Sequence, residues 1–163
     1  MADPRVKWYG IAAAVFAVDR LTKWLIETRV GAYDVHTIIP GFFDIVHSQN
    51  RGVAFGLMNE STSAWRTVIL VVFSGVALAV VAGLLWKGGR LDRLTANGLA
   101  LILGGAGGNL FDRILWGRVT DFLEFYVGTL HWPTFNVADS CIVIGSGLLL
   151  LDLLRPKQRP AHT

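Results

Sequence analysis

Residues 104–113 read Gly104-Gly105-Ala106-Gly107-Gly108-Asn109-Leu110-Phe111-Asp112-Arg113. This segment begins as an apolar, glycine-rich run and ends in three polar side chains. Burying such side chains in lipid is costly unless they find partners or a water-filled cavity. The segment therefore indicates a functional site inside a membrane, and other parts of the chain must supply the partners.

The composition is that of an integral membrane protein. Hydrophobic residues make up 53% of the 163 positions and charged residues only 17%, which is unusual for a soluble domain of this size. The net charge of +3 does not indicate a nucleic-acid partner, because the basic residues form short clusters at predicted helix ends. The lone cysteine, Cys141, excludes an intramolecular disulfide and a multi-thiolate metal site.

Four segments are predicted to be transmembrane helices, at about 8–26, 67–86, 94–115 and 137–154. The second has twenty residues without a charge, enough to cross a hydrocarbon layer ~30 Å thick at about 1.5 Å per residue. The first follows a basic start, as a signal peptide would. We interpret it as a retained helix, because Asp19, Arg20 and Lys23 interrupt it and no small-residue cleavage site follows.

Two longer connections, 29–63 and 116–135, lie on one side of these helices. Within the first, Val35 to Ile39 and Phe42 to Ser48 have the composition of short strands, separated by the turn pair Pro40-Gly41,. They predict a small sheet on the membrane face. The second connection is rich in aromatic residues and is expected to be an interfacial loop against the membrane surface.

The predicted fold class is an all-α integral membrane protein with four transmembrane helices, a small extracytoplasmic β-sheet and this interfacial loop segment. One membrane-embedded domain is expected to cover residues 1–163. With the N-terminus in the cytoplasm, the basic residues divide eight inside and four outside, which satisfies the positive-inside bias. The inner set is Arg5, Lys7, Lys87, Arg90, Arg93, Arg155, Lys157 and Arg159, and the outer set is Arg29, Arg51, Arg66 and Arg118. All six tryptophans fall near predicted helix ends, as interfacial anchors do. Both termini are therefore expected in the cytoplasm.

This topology brings polar groups from several helices to one depth, near the outer face. Asp19 and Lys23 share a helix face, with the acid first, which is the more favourable order. They either neutralise each other during insertion or support a polar site, and the second is favoured because a lipid-facing helix needs neither charge. Asn109, Asp112 and Arg113 project from one face of the third helix. Asp112 and Arg113 are expected to form a structural ion pair that orients the site and binds polar substrate groups.

Other motifs have structural interpretations. Gly104 and Gly108 form a small-xxx-small pair that allows close approach of another helix. The loop from Asn50 to Gly56 contains glycines that permit backbone conformations closed to other residues, so a turn is predicted there. His36 and His47 have no acidic or cysteine partner at ligand spacing, and no metal site is predicted.

Asp121 and Asp139 flank the outer connection and are brought to the same depth by the helical hairpin. Two carboxyl groups held close cannot both ionise easily, so one keeps a proton while the other remains a base. Such a pair can activate water and protonate a carbonyl or a leaving amine, as an aspartyl hydrolase does. The residues alone leave two alternatives open: a structural polar core, and a proton-coupled transporter or channel subunit that uses Asp19, Asp112 and Asp139 as a relay. A nucleophilic triad is poorly supported, because Cys141 has no nearby histidine.

Five blocks of sequence, in order, resemble the signal peptidase II (lipoprotein signal peptidase) family of bacterial membrane aspartic peptidases. The blocks are Asp19-Arg20-Leu21-Thr22-Lys23, Asn50-Arg51-Gly52-Val53-Ala54-Phe55, residues 104–113, Val119-Thr120-Asp121-Phe122 and Phe135-Asn136-Val137-Ala138-Asp139-Ser140. The resemblance runs from Asp19 to about Gly145. One departure is Arg20, where the family commonly has a glutamine, and it affects the local contacts of the first span.

The resemblance implies that Asp121 and Asp139 are the catalytic pair. The substrate-binding or site-supporting residues that surround them would be Asp19, Lys23, Asn50, Gly52, Ala54, Gly108, Asn109, Asp112, Arg113, Asn136 and Ala138. The implied substrate is a diacylglyceryl-modified prolipoprotein, cut just before its lipidated cysteine by general acid–base hydrolysis without a metal or other cofactor. The implied location is the bacterial cytoplasmic (inner) membrane, in contact with lipid, with the active site near the periplasmic face. We expect a monomer without a nucleic-acid partner.

Overall fold

The computed structural model describes residues 3–32, 34–52, 64–87 and 91–155. The helices in this part are α1 (Pro4–Arg29), α2 (Ala64–Lys87), α3 (Arg93–Trp116) and α4 (Val137–Leu154). The strands are β1 (Val35–Ile39), β2 (Phe43–Asn50), β3 (Val119–Val127) and β4 (Leu130–His131). Each helix begins and ends within a few residues of a predicted segment, and α4 has the predicted bounds.

The central helix is α3, which packs against the other three and most extensively against α4. Glycines make this close packing possible. A Cβ atom at Gly104 would lie 2.5 Å from the backbone oxygen of Ala12 on α1, and one at Gly105 would lie 2.5 Å from the backbone oxygen of Ala138 on α4. The predicted packing role of the glycine stretch is confirmed, and the glycines serve two faces of α3.

Three helices in the described ranges are long and apolar enough to cross a membrane: α3, α4 and Thr67–Lys87 within α2. The outward faces of α2 and α4 carry exposed large apolar side chains, such as Phe73 and Val143. Helix α1 has 26 residues but is not one of the three, since charged side chains interrupt its apolar run. The fourth transmembrane span therefore stays a prediction.

The strands form one antiparallel sheet in the order β1-β2-β3-β4. The two predicted strands are confirmed as β1 and β2, and β2 begins one residue later and ends two residues later than predicted. In the β2–β3 pair, Ser48 lies opposite Asp121 and Asn50 lies opposite Val119. This pairing brings residues far apart in sequence to the C-terminal ends of α1 and α3.

The prediction that 116–135 is a loop is wrong, because β3 and β4 lie within it, and its place at the membrane surface stays a prediction. Gly117 ends α3 in the left-handed conformation, with φ 66°, which glycine adopts without strain. The chain then enters β3, whose β-branched and aromatic side chains suit a half-buried sheet. Its aromatic residues pack on the sheet: the ring centroids of Phe43 and Phe125 are 4.8 Å apart. Phe125 and Phe43 thus pack on the sheet, whereas Trp132 of the same segment is exposed.

Candidate active site

A buried lysine on α1 is the centre of a polar cluster between α1 and α3. Lys23 Nζ donates hydrogen bonds to Asp19 Oδ2 and Asn109 Oδ1, both at 2.8 Å, and lies 2.7 Å from Asp112 Oδ2. The side chains of Lys23 and Asp19 are 0% exposed. Buried charges are tolerated when they are paired and hydrogen-bonded. The predicted pairing of Asp19 with Lys23 is confirmed, and the pair faces the helix interface.

The predicted ion pair between Asp112 and Arg113 is wrong. Asp112 is directed at α1, where the guanidinium of Arg20 pairs with its Oδ1. Arg113 donates from Nη1 to the backbone oxygen of Asn109 at 3.2 Å, and its Nε is buried with no hydrogen-bond acceptor among the described residues. Consecutive residues of a helix do not face each other, which is why adjacency in the sequence indicated the wrong partner.

Helix α4 begins with a capping box that holds Asp139. The side-chain oxygen of Asn136, the N-cap, accepts a hydrogen bond from the Asp139 N–H at 3.0 Å, and Asp139 Oδ2 accepts one from the Asn136 N–H at 3.2 Å. Asp139 Oδ1 accepts a third hydrogen bond, from Asn109 Nδ2 at 2.8 Å. Both carboxylate oxygens are thus engaged, so the start of α4 and a side chain of α3 together set the orientation of this half-buried group,.

Asp121 lies on β3 and is only 1% exposed. Its Oδ1 accepts a hydrogen bond from Asn136 Nδ2 at 2.7 Å, and its Oδ2 accepts one from Asn50 Nδ2 at 3.0 Å. Burial raises the pKa of the Asp121 carboxyl from 3.8 to about 6; the hydrogen bonds from the two amides oppose this rise, and the negative charge of Asp139 adds to it. Such a pKa lets the group exchange a proton close to neutral pH.

A cleft of about 420 Å³ opens beside Asp121, between the end of β2 and the segment that follows β4. Its other lining residues are Ser48, Gln49, Asn50, Arg51, Pro133 and Thr134. The sequence analysis selected only Asn50 from this set. Ser48 and Gln49 approach Asp121 through the pairing of β2 with β3, and Pro133 and Thr134 approach it because the adjacent Phe135 bridges back to Leu123. The cleft gives water and an extended peptide a route to the Asp121 carboxyl group.

Two predicted site residues act through close backbone approach. The N–H of Ala138 donates to Asp19 Oδ1 at 3.0 Å, which ties the first turn of α4 to α1. Gly108 leaves room for the same carboxylate, since a Cβ atom there would collide with Asp19 Oδ2. Asp19 therefore joins three helices through its two oxygens.

The outer loop is described only as far as residue 52. Gly52 has a φ of +77°, and its N–H donates to Asn50 Oδ1 at 2.7 Å, so the predicted turn is confirmed for this part. Ala54 lies outside the described residues. Within the described ranges, no group of three or more His, Cys, Asp or Glu side chains could hold a metal ion. The absence of a metal cofactor stays a prediction.

Two charged residues of α1 were not selected as site residues from the sequence. Arg20 was noted only as a departure from the family pattern. Glu27 Oε1 accepts a hydrogen bond from Thr120 Oγ1 at 2.6 Å, which joins α1 to β3. A signal existed for Glu27, because its spacing of four and eight residues from Lys23 and Asp19 puts all three on one helix face.

The fold and this site define a class of protein. Apolar helices enclose a polar cluster, and two carboxyl groups are joined through one buried asparagine at the outer edge of that cluster. This is the arrangement of an aspartic hydrolase in a membrane protein.

Comparisons with known proteins identify the family. The sequence model described as "Signal peptidase (SPase) II" matches residues 11–155, and the chain belongs to the signal peptidase II family of aspartic peptidases. A protein named lipoprotein signal peptidase from Solibacter usitatus is 62% identical over 162 residues, covering 99% of each chain. Another with that name, from Maridesulfovibrio salexigens, is 39% identical over 147 residues, covering 90% of this chain and 94% of its own.

Two solved structures, each described as a bacterial membrane enzyme determined by the in meso method, have the same fold. One has a TM-score of 0.81 at 27% identity and covers 96% of this chain and 94% of its own. The other has a TM-score of 0.80 at 28% identity and covers 93% and 94%. The chain is accordingly a bacterial membrane enzyme, and the transporter alternative is not supported. Two members of the predicted proton relay, Asp19 and Asp112, are ion-paired to Lys23 and Arg20.

Proposed function

We propose that Asp121 and Asp139 are the catalytic pair with which this peptidase removes the signal peptide from a diacylglyceryl-modified prolipoprotein, just before the lipidated cysteine. Membership of the family makes the chain an aspartic endopeptidase that acts on prolipoproteins. The proposed mechanism depends on these two aspartates, and the other site residues orient them.

One observation carries this assignment: Asn136 is hydrogen-bonded to both carboxyl-bearing residues at once. Its Nδ2 donates to Asp121 Oδ1 at 2.7 Å, and its Oδ1 accepts the Asp139 N–H at 3.0 Å. A side chain of 0% exposure that bonds both residues holds β3 and α4 in one fixed relation. Such preorganisation is what a pair acting on one substrate requires.

The proposed chemistry is general acid–base hydrolysis. The ionised carboxylate takes a proton from water as the water oxygen attacks the scissile carbonyl carbon, and the protonated carboxyl group donates a proton to the carbonyl oxygen. When the tetrahedral intermediate collapses, a proton passes to the leaving amine. The pKa of about 6 at Asp121 supports this residue as a group that can exchange a proton close to neutral pH.

The remaining residues support the pair. Asn109 is held through Oδ1 by Lys23 and donates from Nδ2 to Asp139, so Lys23 fixes which way the amide points. The buried, unpaired Nε of Arg113 is suited to a carbonyl oxygen of the bound peptide. Asn50 lines the cleft and donates a hydrogen bond to Asp121 Oδ2.

We further propose that α1 is a fourth transmembrane span within a single domain. Its charged residues Asp19 and Lys23 are buried in the bundle, while its outward face carries the exposed apolar side chains of Val18, Leu21 and Leu25. An even number of spans puts both termini on the same side of the membrane, and the positive-inside bias makes that side the cytoplasm, which leaves the sheet outside. A reporter fused after Thr163 should then be active in the cytoplasm, and activity only in the periplasm would contradict this topology.

The proposed location of the site suits a lipidated substrate. Asp121 lies where the sheet meets the outer ends of the helices, so the diacylglyceryl chains can remain among lipid while the peptide enters the cleft. The apolar outer faces of α2 and α4 are accounted for by contact with membrane lipid, which is why we propose that the enzyme acts as a monomer.

The purified enzyme should therefore be incubated with a diacylglyceryl-modified prolipoprotein peptide and with the same peptide lacking the lipid. We expect cleavage before the lipidated cysteine in the first and none in the second. A preparation from cells without the expression plasmid controls for other proteases. Equal cleavage rates for the two peptides would contradict the lipoprotein substrate and indicate a general membrane protease.

A further inference from the structure

The polar cluster between α1 and α3 contains two buried carboxylates, Asp19 and Asp112, which are 0% and 1% exposed. Lys23 is the one ammonium that contacts both. A second buried carboxylate without its own cation would leave an uncompensated charge, which is strongly destabilising in a low-dielectric interior. With Lys23 as its cation, this group of three side chains carries one net negative charge.

Arg20 supplies a balancing positive charge. Its guanidinium pairs with Asp112 Oδ1, and the Arg20 side chain is only 17% exposed. Its Cζ lies 4.7 Å from the ring centroid of Trp116 and 5.5 Å from that of Phe111. Cations prefer such positions over aromatic rings, and the planar guanidinium suits them better than an ammonium does. The Arg20 side chain of α1 is thus held by its ion pair with Asp112 and by the rings of Phe111 and Trp116, all on α3.

The hydrogen bonds of Lys23 explain why this second cation affects the active site. Lys23 donates to Asp19 and Asn109, whereas Asp112 Oδ2, although 2.7 Å away, accepts no hydrogen bond. Among the described residues, Arg20 is the side chain that donates to Asp112. Without Arg20, the ammonium of Lys23 would be drawn more strongly toward Asp112, which would move Nζ relative to Asn109,.

The next contact reaches the catalytic pair. Asn109 Oδ1 accepts from Lys23, so Nδ2 of the same amide is turned to Asp139 Oδ1 at 2.8 Å. We infer that Arg20 is a positioning residue: by neutralising Asp112, it leaves Lys23 to orient Asn109 and, through Asn109, Asp139. This inference rests on the proposed catalytic role of Asp139.

The local charges allow a pH test. The charged groups that face this region are Asp19, Arg20, Lys23 and the exposed Glu27 on α1, Asp112 and Arg113 on α3, Asp121 on β3 and Asp139 on α4. Removing the positive charge of Arg20 leaves one surplus negative charge, which makes ionisation of the pair harder. The pH–rate profile should therefore move to higher pH.

The test uses the full chain in detergent, the diacylglyceryl-modified peptide, and the variants Arg20→Gln, Arg20→Lys and Arg20→Gln/Asp112→Asn. Arg29→Gln is the matched control, since Arg29 is an exposed arginine of the same helix. For Arg20→Gln we expect a fall in kcat of about tenfold or more, KM within about twofold, and the upward shift of the profile. Arg20→Lys keeps the charge and should keep the parent profile, and the double variant should return toward it. Arg29→Gln should match the parent.

The inference is overturned if folded Arg20→Gln has the parent profile and loses activity only in proportion to loss of folded protein. If Arg20→Gln does not fold, Arg20→Lys decides: a folded Arg20→Lys protein with a displaced profile would show that charge balance is not what Arg20 provides. Asp139→Asn is assayed in parallel. Full activity of Asp139→Asn would overturn the proposed function itself, whereas an inactive Asp139→Asn with a parent-like Arg20→Gln profile would overturn this inference alone.

Discussion

Replacement of Asn136 should separate two roles that its side chain combines. Its oxygen caps α4 by accepting the N–H of Asp139, and its Nδ2 donates to the buried carboxylate of Asp121. Serine is as good an N-cap as asparagine, whereas alanine is not. Asn136→Ser therefore keeps the cap and loses the amide, and Asn136→Ala loses both.

The size of each effect follows from the contacts. Loss of the cap costs about 1 kcal/mol, and loss of a buried hydrogen bond to a charged group costs about 1.5–3 kcal/mol. We expect Asn136→Ala to destabilise the protein by about 2.5–4 kcal/mol and Asn136→Ser by about 1 kcal/mol less. Since the amide lowers the pKa of Asp121, both variants should move the pH–rate profile to higher pH.

The assay is thermal unfolding in one detergent, followed by cleavage rates measured across pH on the surviving folded protein. Asn136→Ser is the control for the cap, because it keeps the cap and loses only the contacts of Nδ2, which are a short one with Asp121 and longer ones with Asn109 Oδ1 and the Thr120 backbone oxygen. Equal stabilities for the serine and alanine variants would refute the capping argument. An unchanged pH–rate profile in Asn136→Ser would refute the role assigned to the amide.

Two further predictions concern stability. The pKa of Asp121 is raised on folding from 3.8 to about 6. The contribution of this carboxyl group to the free energy of unfolding is therefore favourable below pH ~4 and is lost as the pH rises through ~6, a change of up to about 3 kcal/mol. Asp121→Asn should therefore gain stability relative to the parent between pH 4 and pH 7 in thermal unfolding, and a constant difference would contradict this. Gly105→Ala should lower stability by about 1–3 kcal/mol, because its Cβ would lie 2.5 Å from the backbone oxygen of Ala138. Gly10→Ala is the control and should not lower stability, since no atom lies within 4 Å of the Cβ position there. Equal stability of the two variants would refute the packing argument.

Much of the helical fold was predictable because transmembrane helices are specified by length and apolar content. Helix α4 has the predicted bounds, and α2 and α3 differ by only one to three residues at each end. The glycines of 104–108 predicted close helix packing for a physical reason, the absence of a side chain. Which helix faces each glycine could not be predicted, because that depends on the rotation of α3 relative to its neighbours.

The sheet was harder to predict. Strand β3 has the β-branched and aromatic composition of a strand, but a flanking tryptophan and several phenylalanines gave an equally good interfacial pattern. What distinguishes the two is the pairing of Ser48 with Asp121 and of Asn50 with Val119, which are far apart in the sequence. Local sequence does not contain this information, and the cleft residues that depend on it were missed for the same reason.

Ion-pair partners were predicted only where helical spacing determines them. Asp19 and Lys23 are four residues apart on one helix, and their pairing followed from geometry. The sequence analysis paired Asp112 with the adjacent Arg113, whereas the structure pairs it with Lys23 and Arg20 of another helix. Contacts between helices require the packing of α1 on α3 to be known.

The measurement that tests the central claim most directly is cleavage of the diacylglyceryl-modified peptide by Asp121→Asn, Asp139→Asn and the double variant. Each single variant should lose about 10²–10⁴-fold in rate, and the double variant should be hardly worse, since the pair acts as one unit. Cys141→Ser, a change at a half-buried thiol of α4, should retain activity. A folded, membrane-inserted Asp139→Asn protein that cleaves at near the parent rate would contradict the aspartic mechanism.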